Sequence, residues 1–414
     1  MKHRIATLFT LFVLGASSIY GGGFQLNEHG SRPLGLGGAF TAIANDASAV
    51  YWNGAGLSFL EGTNFLLGSA LIGPSTTFRG VTPSVDKTLM DKQIFYPPHF
   101  FVSQRISDAF AIGVGVSIPF GLGTKWPSNW IGRYLAVETE LTAISVPLVI
   151  AWKVTDNFSI SAGGSYSHAT VLIEQAASLA PFAGDALIKL EGDETAAFGY
   201  NFGLMWKPVE ELSIGGSFRS QVKYSFEGTA TPIGPEQVAS QLPSGDISAD
   251  LTTPMNIQGG IAVNVTKQLR LSADFQWVGW SSYDKLAVDF KDPNIEDLSS
   301  PRNYEDTYIL RFGGEYAVTD ELSILGGVYY DKNPVKPDYV NPSLPDSDRL
   351  GLSIGMDAKI LDNFGVTGSY LFIRSSQLTV TNSREEYTPG GSKFNGTYNS
   401  KANILSFSLY YTIN

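Results

Sequence analysis

From Leu212 to Phe226 the chain alternates, with Ser220 the one departure. Apart from Ser220, the even positions carry Leu212, Ile214, Gly216, Phe218, Val222, Tyr224 and Phe226. The odd positions carry Ser213, Gly215, Ser217, Arg219, Gln221, Lys223 and Ser225. A sustained period of two describes a strand with one greasy and one polar face. Strands of soluble sheets average about five or six residues, whereas a tilted strand crossing a bilayer takes about nine to eleven. The same two-faced reading fits 198–207, 255–266, 269–277, 308–318, 350–360 and 403–413. In the last, Leu405, Phe407, Leu409, Tyr411 and Ile413 share a face. A soluble propeller would show self-similar blades, and the sequence has no internal repeat.

The connections carry a second period. Short turns at Ile106–Asp108, Val154–Asn157, Lys207–Glu211, Asn264–Gln268, Val318–Glu321 and Ile360–Asn363 alternate with long loops at 80–96, 120–137, 174–190, 228–249, 290–303, 331–348 and 383–396. The runs between them number about fourteen, an even count as bacterial single-chain barrels have. The expected fold is all-β: a transmembrane antiparallel β-barrel in the bacterial outer membrane, with short turns periplasmic and long loops outside. Trp126, Trp130, Trp152, Trp206, Trp277, Trp280, Tyr329 and Tyr330, near strand ends, are expected at the two membrane interfaces.

Composition agrees. Charged residues make up 16% and the net charge is −11, with no basic run to neutralise the phosphates of a nucleic acid. Mean hydropathy is near zero, as expected when apolar residues occupy alternate positions. There is no cysteine, so neither disulfides nor thiolate chemistry is available. The four histidines show no metal-ligand spacing and no G-x-S-x-G elbow exists; no enzyme activity and no cofactor are expected. Residues 1–21 read as a secretory signal, with Lys2, His3 and Arg4 ahead of the apolar run Leu8–Leu14.

The stretch 22–62 behaves differently. It is rich in Gly, Ala and small polar residues and lacks strand alternation. Phe24, Phe40, Tyr51, Trp52 and Leu57 make it too apolar for a flexible leader. It reads as a plug inside a barrel of residues 63–414. Its segments GFQLNE (23–28), LGLGGAF (34–40) and NDASAVYWNGAGL (45–57) resemble the hatch of the FadL-type outer-membrane transporters. PFGLGTKW (119–126), IGRY (131–134), DFQWVGWSSYDKL (274–286), YYDKNPV (329–335) and LPDSDRLGLSIG (344–355) extend the resemblance in the same order. One departure is Asn53-Gly54-Ala55, where that family has Asn-Pro-Ala.

The expected function is passive uptake of hydrophobic compounds, long-chain fatty acids first, with neutral aromatic hydrocarbons as the alternative. A structural or adhesive barrel is a further alternative. The partners are the cargo and outer-membrane lipid, for a monomeric protein. Segments 175–187 and 231–242 are amphipathic, and their Pro caps suggest short helices. Their Leu179, Phe182, Leu187, Ile233, Val238 and Leu242 are the candidate outer groove, as the resemblance implies. In 112–123, Pro119 removes a ladder donor and Gly113, Gly115 and Gly121 weaken pairing; the resemblance implies a kinked third strand with a lateral opening. Phe24, Gln25, Asn27 and Asn53 are the candidate gate. Basic side chains hold the carboxylate in fatty-acid members, and the resemblance puts His168 and Glu305 at the corresponding places. Arg219, Lys223, Arg270, Arg311 and Lys359 fall on the expected inward faces. Of these, Arg219 and Arg311 join His168 as candidate head-group contacts, unless they serve lumen ion pairs with Asp274, Glu315 and Asp357.

Overall fold

The computed structural model describes residues 22–179, 184–235, 242–387 and 391–413. Twenty ladder segments join edge to edge in one sheet. Five walls consist of two segments each and one short segment, Lys87–Leu89, belongs to a loop, so the ring has fourteen wall strands. They are β1 (Thr63–Gly80), β2 (Pro98–Arg105), β3 (Phe110–Lys125), β4 (Glu138–Thr155), β5 (Phe158–Ser178) and β6 (Asp185–Val209). Next come β7 (Leu212–Arg219, then Lys223–Ile233), β8 (Gly245–Thr252, then Asn256–Asn264), β9 (Leu269–Val278, then Lys285–Phe290) and β10 (Leu298–Pro301, then Thr307–Ala317). The ring finishes with β11 (Leu322–Asp331), β12 (Arg349–Leu361), β13 (Phe364–Ser375, then Leu378–Val380) and β14 (Gly396–Ile413). β14 closes on β1 from Thr63↔Ile413 to Gly80↔Gly396, so no edge is left to pair with another chain.

The alternation holds where it decides the fold. On β14, Leu405, Phe407, Leu409, Tyr411 and Ile413 are 41–60% exposed, while Ser406 and Ser408 are buried in the lumen. The apolar set forms the membrane-facing band. The run 212–226, however, is not one strand. It breaks at residues 220–222, and the faces exchange across the break. Below it Phe218 lies outside, tilted against Tyr200, and Arg219 points in to the Tyr51 carbonyl. Above it Tyr224 and Phe226 are buried in the lumen and Lys223 is outside, paired with Asp250. β8 exchanges faces across 253–255: Ile247 and Leu251 are buried above, Gln258 and Ala262 below. β6 does so at a bulge near 194–196. A slip of one residue turns every later side chain over.

Two further expectations are corrected. The segments 175–178, 185–187 and 231–233 are strand rather than helix, because β5, β6 and β7 climb far beyond the membrane as one extended sheet. Trp126, Trp130 and Trp280 are 1–3% exposed; Trp126 stacks on Trp130 at 4.3 Å, inside the loop cap rather than in a girdle. Trp152 and Trp206, both 44% exposed beside short turns, do sit at the lipid-facing edge.

Residues 22–60 fill the lower lumen with two short helices, α1 (Ser31–Gly35) and α2 (Ala49–Trp52), and a 3-10 turn, Gly54–Phe59. Leu36, Phe40, Trp52 and Leu57 form their apolar centre. The wall grips this segment with small hydroxyls. Ser369 donates to the Ser31 carbonyl (2.7 Å), Ser353 to Gly35 (2.9 Å) and Ser159 to Ala55 (2.7 Å). Asp274 accepts from the Phe40 and Thr41 amides at 3.0 and 2.9 Å. Asn53 donates to the Thr41 and Leu204 carbonyls, both at 2.9 Å. Gly54 stands where a proline would clash, since any Cβ there would overlap Val149.

Candidate functional site

The third wall strand is broken where Pro119 withholds a ladder donor. Pairing with β2 stops at Phe100↔Val116, and the register to β4 shifts between Ser117 and Phe120. The N-terminal tail takes the vacant place. Leu26 N–H donates to the Pro119 carbonyl (2.9 Å) and Gly121 N–H to the Phe24 carbonyl (3.0 Å). Gly121 matters because Leu26 occupies the space of its Cβ. Gly113 and Gly115 do something else: they lie in regular ladder, with Val50 and Leu57 closing on the first and Phe101 on the second.

Two cavities meet at the tail. The outer one, about 290 Å³, lies beneath the loops and is lined by apolar groups such as Leu141, Phe226, Ile247, Leu251 and Val288. The second, about 520 Å³, runs along the broken wall past Ile72, Phe95, Gly123 and Ile404. Phe24 borders both. Its ring is held edge-on by Trp280 (4.8 Å), Tyr283 (5.6 Å) and Phe120 (6.0 Å). The tail behind it is pinned by charge: Arg349 donates to the Gly23 carbonyl at 2.7 Å, and Asp346 accepts the Gly23 amide while pairing with Arg349. Asn27 accepts from Gln25 (3.0 Å) and from Arg311 (3.2 Å).

The outer cavity holds one buried cation, Arg302, which is 8% exposed and stands 3.7 Å from Glu385. Burial works to lower its pKa, but Tyr283, Tyr304 and Glu385 outweigh that and the net shift is upward. Burial also pushes the Tyr304 hydroxyl well above its ordinary range, so it stays protonated.

The other sequence candidates separate. Leu187 and Ile233 are cross-strand partners, but they share the outer face of the sheet, and Ile188 and Leu190 take the inner one. Leu179 is buried and Leu242 half-buried; neither lines the cavity. Phe182 and Val238 lie outside the described residues. His168 is a correction: Ser167 and Ala169 point inward, and His168 sits opposite Ile144 on the lipid-side face. Glu305 is exposed and pairs with Lys336. Arg219 and Arg311 do point inward and both reach the plug, Arg219 over the Tyr51 ring at 4.4 Å and Arg311 through one bond to Asn27, its buried Nη1 having no hydrogen-bond partner among the described residues. Lys223 and Lys359 are exposed on ion pairs, while Arg270 joins Arg32 on Glu315.

A closed fourteen-stranded wall, plugged below and greasy above, defines a class: an outer-membrane barrel that passes hydrophobic compounds rather than water-soluble ones. The chain belongs to the outer membrane protein transport family OMPP1/FadL/TodX, whose model it matches over residues 12–413. That family consists of transport proteins, not enzymes, in the bacterial outer membrane. The long-chain fatty acid transport protein of Escherichia coli O6:H1 is 26% identical over 396 residues, covering 84% of this chain and 87% of its own. The structure of a Pseudomonas aeruginosa FadL homologue superposes with a TM-score of 0.86 at 22% identity, covering 95% of this chain and all of that one. The Pseudomonas putida toluene transporter TodX gives 0.73 at 15%, covering 94% and 99%.

Proposed function

We propose that the cargo is a long-chain fatty acid, held in the outer cavity with its carboxylate at Arg302 and its tail against Leu141 and Phe24. The observation that carries this is a buried guanidinium, the one cation among the described residues lining this cavity, set beside apolar side chains, with the carboxylates Glu140, Glu191, Asp250 and Glu385 also on the lining. Burying such a charge is costly without an anion, and Glu385 at 3.7 Å is a distant one. The cargo then passes Phe24 as the tail shifts, enters the second cavity and leaves sideways at the Pro119 break into lipid. Lateral release spares it roughly 0.8 kcal/mol per CH₂ of entering water. No energy source is invoked. Residues 1–21 serve as an export signal, and the protein works as a monomer. The Arg302–Glu385 pairing favours the second reading, a neutral hydrocarbon, since such a cargo leaves the pair intact. Binding of labelled oleate and of toluene to the purified protein separates them. Arg302→Gln should weaken oleate about tenfold or more and leave toluene unchanged; equal retention of oleate overturns the assignment.

A further inference from the structure

The outer face of the barrel carries an unbalanced group of cations. On β13 and β14, Arg374 and Lys401 sit directly opposite each other. On β1 and the short strand Lys87–Leu89, Arg79 sits opposite Lys87. All four are exposed. They lie on the outer face, since Ile373, Ser400, Phe78 and Ile404 between them point into the lumen. None takes part in an ion pair or hydrogen bond among the described residues; Asp86, next to Lys87 in sequence, makes no pair with it. Like charges directly opposed in a ladder destabilise it. Four unmatched cations in a chain of net charge −11 therefore call for an external anion.

The height of the group says which anion. On β14 the exposed apolar residues run from Ile413 up to Leu405. Asn403 comes next, accepting from the Tyr370 hydroxyl at 2.7 Å, and Lys401 follows one alternation higher. On β1 the apolar positions Leu67 and Leu71 give way to Gly73, Ser75 and Thr77 before Arg79. Both cation pairs thus lie above the apolar band, where lipid head groups are, Arg374 and Lys401 just past its edge and Arg79 and Lys87 higher. Arg79 is opposite Thr397 and Lys401 opposite Ser75. The pairs are four residues apart along the wall, or about 14 Å, a span that fits two phosphates of one large head group better than one free ion.

We propose that this face, formed by Arg79, Lys87, Arg374 and Lys401, binds the phosphate groups of the phosphorylated glycolipid of the outer leaflet. Each cation near a charged lipid surface contributes about 1 kcal/mol, and guanidinium pairs bidentately with phosphate. Lys401 borders the second cavity while Arg79, Lys87 and Arg374 do not, and the proposal holds whichever cargo is carried. Its test uses detergent-purified full-length protein and lipid A as the probe. Arg374→Gln with Lys401→Gln, and separately Arg79→Gln with Lys87→Gln, should each weaken lipid A binding about thirtyfold. Lys267→Gln, on a turn at the far end of the barrel, should not. Wild-type binding should fall as salt rises, and dephosphorylated lipid A should bind weakly. Heat-modifiable gel mobility certifies each variant as folded, and unchanged oleate binding does so for the Arg79 and Lys87 pair, which lies off the second cavity. The proposal is overturned if both double variants bind lipid A like wild type, if the dephosphorylated lipid binds equally well, or if millimolar inorganic phosphate displaces the lipid completely.

Discussion

Single residues decide whether the plug stays in place. Asn53 is 1% exposed and satisfies two carbonyls and the Ala55 amide. Asn53→Ala strands those groups, and leaving even one unpaired costs about 1–3 kcal/mol. The expected result is faster hydrogen exchange across residues 40–57 with unchanged heat-modifiable mobility of the barrel. Phe24→Ala merges the two cavities and removes three edge-on ring contacts. Those contacts hold the tail, but the ring is also the apolar surface the cargo lies against, worth about 1.5–3 kcal/mol of burial, so oleate should bind roughly tenfold more weakly or worse, as titration with labelled oleate would show. Phe24 was legible because an aromatic in a Gly-rich tail needs a partner. Arg219 was legible because Ile214 and Phe218 fix the opposite face. His168 was not: Tyr166-Ser167-His168-Ala169-Thr170 offers no contrast between greasy and polar positions, so nothing local reports which way the ring points. Arg302 was missed for a related reason. It lies in the short gap between the two segments of β10, where no period exists.

At the scale of elements, the strands are long but not uniform. The exchanges of face on β6, β7 and β8 occur at neighbouring heights and turn Leu190, Tyr224, Phe226 and Ile247 inward above the plug. Alternation alone cannot show this, because the even positions are greasy on both sides of Ser220, Gln221 and Val222, Phe218 below and Tyr224 above, while the backbone leaves the ladder between them. Deleting Gln221 re-phases the upper half of β7 and sends Tyr224 and Phe226 to the outside. Oleate binding should be lost while gel mobility still reports a closed barrel; retained binding would contradict the role given to that face. The stretch before β2 gives a second test. Phe95 bridges to Ile72 on β1 through two backbone bonds of 2.8 and 2.9 Å, and its ring occupies the space a side chain at Gly123 would need. The segment is hinged on one side of the wall break and wedged on the other. Phe95→Ala should speed oleate transfer from protein to liposomes several-fold, because the ring fills the gap by packing alone; an unchanged transfer rate would mean the exit lies elsewhere.

For the whole molecule, the wall count, the alternation of short turns with long loops, and the plugged lumen were all present in the sequence. Each rests on a period or a composition that the bilayer itself imposes. The outer vestibule was less visible, since it depends on where the period slips. Detergent should be needed to keep the folded protein in solution, and removing it should precipitate the chain, a behaviour that light scattering on dilution would register.

The level at which the faces exchange divides each of these strands into two lengths with separate duties. The lower length, studded with serine and glycine, makes the seal; the upper length, rephased by one residue, shapes the chamber. A lineage facing a new oily nutrient can therefore recolour the chamber by mutation above that level, while the stopper and its fittings go untouched and the cell stays watertight.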